Sequence, residues 1–438
     1  MPEPTKNRLL TVLGAAFGLA TIVGTMIGAG ILRSPGDMAE RLPSAPLFFG
    51  VWVVAALYSF GGANALCELA TMMPKSGGQY NFVRHALGPY PGFFVGWNDW
   101  ISVAGSATGV AFVLGETWAA LFPVLKGMER AIGAAFIVGF TTLMWRNVKT
   151  GAVSQYVTTS LKSLAFSVLI VGGFVYAARN GIATAPAVVA PSGLTLLAAF
   201  VVSLQGALYA FDGWNGAIYF TEEVRDPGRN IPRATFGGLG ATTIVYLLLL
   251  VSFVIVIPLP ALAGKELAAA SVASLVFGSS GETVIRLVIV VSLPSYINAT
   301  LPMASRVLYA MARDGMAPAL ATRVNAGGTP TTALFVSMVV ALLFLVLPGI
   351  NAVFAVLSFL FVASHVLSFW SVFVLRAREP GTPRPWRAWG HPLTTALMVF
   401  GSVSFLAGSI WSDPKNGLIA VALVAASYPM YYVISRST

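Results

Sequence analysis

A lysine and an aspartate stand inside stretches of chain that are otherwise apolar, and both could do chemistry there. Lys162 follows Thr158-Thr159-Ser160-Leu161, about ten residues into the apolar run 153–177. An ionisable residue at that depth costs at least ~2.5–3.5 kcal/mol on insertion scales and marks function by default. It is a candidate proton site, and the competing reading is a lysine whose long stem reaches back to the interface. Asp212 sits in Tyr209-Ala210-Phe211-Asp212-Gly213-Trp214-Asn215-Gly216, inside the run 193–220. It has three readings: recognition of a cationic or hydroxylated group, proton acceptance, or capping of a half-helix, which suits aspartate. Asn215 offers either a polar contact or a structurally satisfied amide, and Trp214 reads as packing.

The stretch Gly24-Thr25-Met26-Ile27-Gly28-Ala29-Gly30-Ile31-Leu32 puts three glycines in the first apolar run. Glycine costs a helix about 1 kcal/mol against alanine. A break at membrane depth is tolerated only where it faces protein or a water-filled cavity. The N–H groups that open the next half-helix, with the positive end of its dipole behind them, would make an anion site. Close packing of two helices through Gly28-Ala29-Gly30 is the competing account.

The positioning elements follow from composition. The chain is 57% hydrophobic and 10% charged, with mean hydropathy +0.80, which excludes a soluble globular domain. Apolar runs bounded by charge, proline or glycine cover 11–32, 45–72, 89–116, 131–146, 153–177, 193–220, 235–258, 284–311, 330–348, 350–375, 392–411 and 417–435. That predicts an all-α integral membrane protein of twelve transmembrane helices in one domain, residues 1–438, with the first run retained rather than cleaved. With the N-terminus inside, 17 of the 26 lysines and arginines fall in inner loops and 8 in outer ones. This bias places both termini in the cytoplasm of a multi-pass protein of the inner or plasma membrane. The net charge of +10 is therefore an orientation signal and not a nucleic-acid footprint.

The interrupted runs are the first and the sixth. A pair of interrupted segments at matching positions in two halves points to the binding site of a secondary transporter. Five crossings per half give inverted repeats, about 10–178 and 190–376, with two added helices at about 391–435.

Several motifs, in order, carry a family resemblance. Gly24 to Ile31 is one. Glu68-Leu69-Ala70-Thr71-Met72-Met73-Pro74-Lys75-Ser76-Gly77-Gly78-Gln79-Tyr80 is another. Phe211-Asp212-Gly213-Trp214-Asn215 leads to Thr221-Glu222-Glu223-Val224-Arg225-Asp226-Pro227 and Asn230-Ile231-Pro232-Arg233-Ala234. Ala304-Ser305-Arg306, Met311-Ala312-Arg313-Asp314-Gly315 and Gly328-Thr329-Pro330 complete the set. The chain resembles the amino acid–polyamine–organocation superfamily, and within it permeases akin to the L-type amino acid transporters. The resemblance implies a LeuT-type 5+5 inverted repeat with discontinuous helices 1 and 6, and an L-amino acid substrate. It implies that Ile27, Gly28, Ala29 and Gly30 meet the substrate carboxylate. The carbonyls at Tyr209, Ala210 and Phe211 would meet the α-ammonium, with Tyr209 as an aromatic lid beside Gly213. Asp212 departs from the glycine expected in L-type members. Lys162 would replace a sodium ion between helices 1 and 8, bonding helix-1 carbonyls and groups such as Ser295 or Asn298. Transport would then be sodium-independent, by exchange or proton symport.

Neutral amino acids are the expected substrates; cationic amino acids or polyamines are the alternative, with a channel or a partner-dependent subunit further off. Asp99 and Glu68 are expected as interfacial carboxylates, and His365 as a satisfied core histidine. Glu222 and Glu223 with Arg225, Arg229 and Arg233 read as an inner gate bridged to Arg306 or Arg313, or as a solvated loop. Gly278-Ser279-Ser280-Gly281 lies in a predicted loop and Ser34-Pro35-Gly36-Asp37 lacks an aspartyl-protease glycine, so catalysis is not expected. The histidines 85, 365 and 391 are scattered, and no metal or cofactor is expected. Cys67, the single cysteine, allows no intrachain disulfide, and no disulfide-linked partner is expected. The partners expected are the substrate and the lipid bilayer, with no nucleic acid.

Overall fold

A computed structural model describes residues 9–186, 191–265, 267–346, 350–412 and 414–437. The described residues are helical, with only isolated β-bridges and no strand. Among the described residues, eight helical stretches are long and apolar enough to cross a membrane, by length and composition. Leu57, Leu164, Leu343 and Phe400 are exposed on their outer faces, as lipid contact requires.

The first run is two helices, α1 (Ala15–Met26) and α2 (Ala29–Arg41). The second half outruns the predicted end at 32, because a fresh helix starts after the break and carries its polar residues to Arg41. Then come α3 (Ala45–Met72), α4 (Gln79–Leu87) and α5 (Pro89–Leu121). They are followed by α6 (Glu129–Arg146) and α7 (Val148–Asn180). The sixth run is α8 (Gly193–Phe211), a break at 212–215, and a 3₁₀ segment Gly216–Glu223. Next are α9 (Pro227–Val256), α10 (Leu259–Leu262) and α11 (Ala268–Phe277). The run 284–311 is split into α12 (Gly281–Ser292) and α13 (Pro294–Arg313), at a proline that lacks a donor. The last four are α14 (Thr331–Val346), α15 (Ile350–Arg378), α16 (Leu393–Ser412) and α17 (Pro414–Ser437).

The 33-residue α5 packs against α4, α6, α13, α14 and α15. On the other side of the core α1 packs on α7, α9 and α13, while α2 and α3 flank α8. This arrangement brings the two broken helices side by side.

Candidate functional site

The first break lies at Ile27 (ψ 100°) and Gly28, whose extended backbone carries the chain from α1 to α2. Breaking a helix orphans carbonyls on one side and N–H groups on the other. The carbonyls are served by side chains. Lys162 on α7, 0% exposed, donates to the carbonyl of Gly24 at 2.7 Å and to that of Ile27. Ser295 on α13 approaches the same Gly24 oxygen at 3.3 Å. Tyr246 on α9 donates to the carbonyl of Met26. The opening of α2 is different: Gly28 supplies no side-chain cap, so the first N–H groups stay available to an anion. The lysine reaches inward to helix carbonyls, which removes the snorkelling account.

The second break runs through Asp212 (ψ 145°) and Gly213 (φ +102°). The breaks touch. A Cβ on Gly30 would stand 3.0 Å from Ala210 Cα, and one on Gly213 would stand 2.5 Å from Thr25 Oγ1. The Tyr246 hydroxyl also reaches the carbonyl of Ala210 at 2.7 Å, so one side chain holds the ends of both half-helices. The Ala210 carbonyl, expected to face an ammonium, is therefore already engaged. Phe211 turns its ring into the core against Trp52 and Tyr246. Tyr209 and Asp212 line a cavity together with Trp214 and His365.

Asp212 follows the last turn of α8, its backbone N–H donating to the carbonyl of Tyr209 at 3.2 Å. Asn215 is buried with its Nδ2 lacking a protein partner, so its amide is not structurally satisfied. On α5, Asn98 and Ser102 stand one turn apart, buried and without protein partners for their side-chain polar atoms. Buried polar atoms are paired as a rule, and these are exceptions to it. The spacing of Asn98 and Ser102 was visible in the sequence, but their direction was not.

Asn298 does not reach Lys162. Its amide donates to Gln155 Oε1 at 2.6 Å, and Gln155 donates to the carbonyl of Ala20 at 3.1 Å. The side chain points about two helical turns away from Lys162, because Gln155 precedes it by seven residues on α7. Asn298 thus ties α13 through α7 to α1, without touching the ammonium. Gln155 and Tyr246 carry no sequence signal beyond being polar groups in apolar runs.

At one end of the bundle, Glu223 and Arg306 form a two-pronged pair at 2.9 Å for each contact, 0% and 3% exposed. Glu222 pairs with Arg313 at 2.9 Å and accepts the N–H of Ser76. Leu13, before α1, exchanges backbone hydrogen bonds with Glu223 and Arg225. The two glutamates make the expected pairs with Arg306 and Arg313, while Arg225, Arg229 and Arg233 are exposed. Two carboxylates differ from expectation. Asp99 is fully buried and accepts from Gln79 at 3.2 Å and Tyr219 at 3.0 Å, because α5 runs through the core. Glu68 is buried against Arg376 at 2.6 Å and Arg384 at 3.2 Å. His365 is buried but not satisfied, since neither ring nitrogen has a protein partner.

Two helix breaks thus touch, with carbonyls held by side chains of α7, α9 and α13 and no side-chain cap at the opening of α2. The chain belongs to the amino acid permease family, which matches residues 13–434. It is a permease of the amino acid–polyamine–organocation superfamily related to the L-type transporters, and not an enzyme. It is 24% identical to the serine/threonine exchanger SteT of Bacillus subtilis (strain 168) over 98% of both chains. It is 26% identical to the b(0,+)-type amino acid transporter 1 of Mus musculus, over 96% of this chain and 87% of that one. It is 28% identical to the large neutral amino acids transporter small subunit 2 of Homo sapiens, over 96% of this chain and 80% of that one.

Proposed function

We propose that the protein moves neutral L-amino acids across the membrane by alternating access, without sodium. The observation that carries this is Lys162: its ammonium holds the carbonyls of Gly24 and Ile27, beside Ser295. A fixed positive charge at the end of α1 does there what a bound cation would do, and it excludes a second cation by repulsion. The substrate carboxylate lies on the N–H groups of Gly28, Ala29 and Gly30, and the α-ammonium faces the α8 break at the carbonyl of Phe211, since Tyr246 already holds that of Ala210. The twelve helical runs form two inverted five-helix repeats with α16 and α17 outside them, both termini being cytoplasmic. The Glu223–Arg306 pair then closes the cytoplasmic side and must part in each cycle.

Exchange and proton symport share this scaffold and are separated by experiment. Reconstituted protein is assayed for uptake of a labelled amino-acid panel, with and without internal amino acid, at neutral and acidic external pH. Uptake only into amino-acid-loaded liposomes identifies an exchanger. Uptake into unloaded liposomes that rises with an inward proton gradient identifies a symporter. No uptake of any amino acid contradicts the proposal.

A further inference from the structure

One cavity holds polar groups that the account above leaves unused. It lies between α3, α8, α15 and α16, against the break in α8. Asp212, His365, Gln205 and Tyr58 are among its polar lining, and Phe361 and Phe405 among its apolar walls. His365 is 3% exposed, and its Nδ1 and Nε2 both lack protein partners. The ring is wedged between Trp214 and Phe369, at centroid distances of 5.3 and 5.6 Å, so packing fixes its orientation.

An unpaired buried polar group costs about 1–3 kcal/mol, which an occupant with matching groups recovers. A neutral imidazole carries one N–H donor and one acceptor nitrogen. The Asp212 carboxylate lines the same cavity and, when ionised, is an acceptor only. A hydroxyl or a carboxamide can donate to the carboxylate and accept from the imidazole. An aliphatic group leaves both unpaired. A primary ammonium is a donor only and leaves the imidazole N–H unpaired.

We infer that this cavity receives the side chain of the transported amino acid, and that Asp212 and His365 select a hydroxyl or carboxamide side chain over an aliphatic one of similar size. The inference rests on the amino acid permease reading and adds the substrate class to it. Asp212 belongs to both the α8 break and the cavity wall, so the cavity abuts the break.

The test is competition against labelled threonine in proteoliposomes, using threonine against valine and asparagine against leucine, with lysine as a cationic arm. Binding of the same compounds to purified protein, followed by thermal shift, reads the ratios independently of transport. The wild-type protein is expected to prefer the polar member of each pair by about tenfold, roughly 1.4 kcal/mol. His365→Leu should erase that preference while valine still binds, and His365→Gln should restore part of it. The inference is overturned if valine or leucine competes as well as its polar partner, if lysine competes best, or if His365→Leu leaves the ratios unchanged. Failure of every amino acid to bind would instead bring down the permease reading, and this subsite with it.

Discussion

The ammonium of Lys162 stands 2.7 Å from the carbonyl of Gly24, across the interface of α7 and α1. Glycine at that position leaves room for two α7 side chains: a Cβ on Gly24 would fall 2.1 Å from Gln155 Nε2 and 2.9 Å from Thr159 Oγ1. The same glycine therefore lets α7 come close and offers the oxygen that the lysine holds.

Lys162→Ala removes two hydrogen bonds from a charged donor, each contributing about 1.5–3 kcal/mol. The end of α1 loses its anchor, and exchange should fall about 100-fold or more. Lys162→Arg should not rescue it, because a planar guanidinium does not fit the seat of a compact ammonium. Initial rates in proteoliposomes, normalised to inserted protein, check both variants.

Tyr246→Phe takes one hydroxyl from the carbonyls of Met26 and Ala210. The expected result is a loss of about 1–3 kcal/mol where the two breaks meet. Transport should drop about tenfold, while the purified protein remains monodisperse with a modest fall in melting temperature.

Arg306→Ala strands the buried carboxylate of Glu223, a defect that costs about 3–5 kcal/mol. Glu223→Leu with Arg306→Met replaces the pair by apolar groups and should recover most of that stability. Transport should stay impaired, because the closed side would no longer part through a polar contact. Thermal unfolding in detergent and uptake assays separate the two effects.

Gly213→Ala places a Cβ at φ +102° and 2.5 Å from Thr25 Oγ1. Both strain and clash push the α8 break away from α1. Substrate binding should weaken about tenfold or more, a change that titration calorimetry on the purified protein would register.

The long apolar helices and both breaks were legible in the sequence, because apolar length and glycine clusters are local signals, whereas the short α4, α10 and α11 fall outside the predicted runs. The span 45–72 coincides with α3, and the breaks fall at Gly28 and at Asp212-Gly213. What lay beyond reach was direction. Whether Asn298 faced Lys162 or Gln155, and whether Asp99 met water or Tyr219, depends on how α5, α7 and α13 rotate about their axes. Apolar periodicity does not fix that rotation in helices buried on most sides. Arg306 was expected only as a gate partner, yet α13 carries it into the core, where Glu223 offsets its desolvation. Tyr246 gave no signal because its role is defined by two carbonyls on other helices.

The most direct test is sodium dependence of substrate binding. Purified wild-type protein is titrated with its best-transported amino acid in sodium-free and sodium-containing buffer of equal ionic strength, with Lys162→Ala alongside. The account predicts equal affinity in both buffers for the wild-type protein and loss of binding in the variant. Tighter binding with sodium in the wild-type protein, or unchanged binding in Lys162→Ala, would contradict the role given to Lys162.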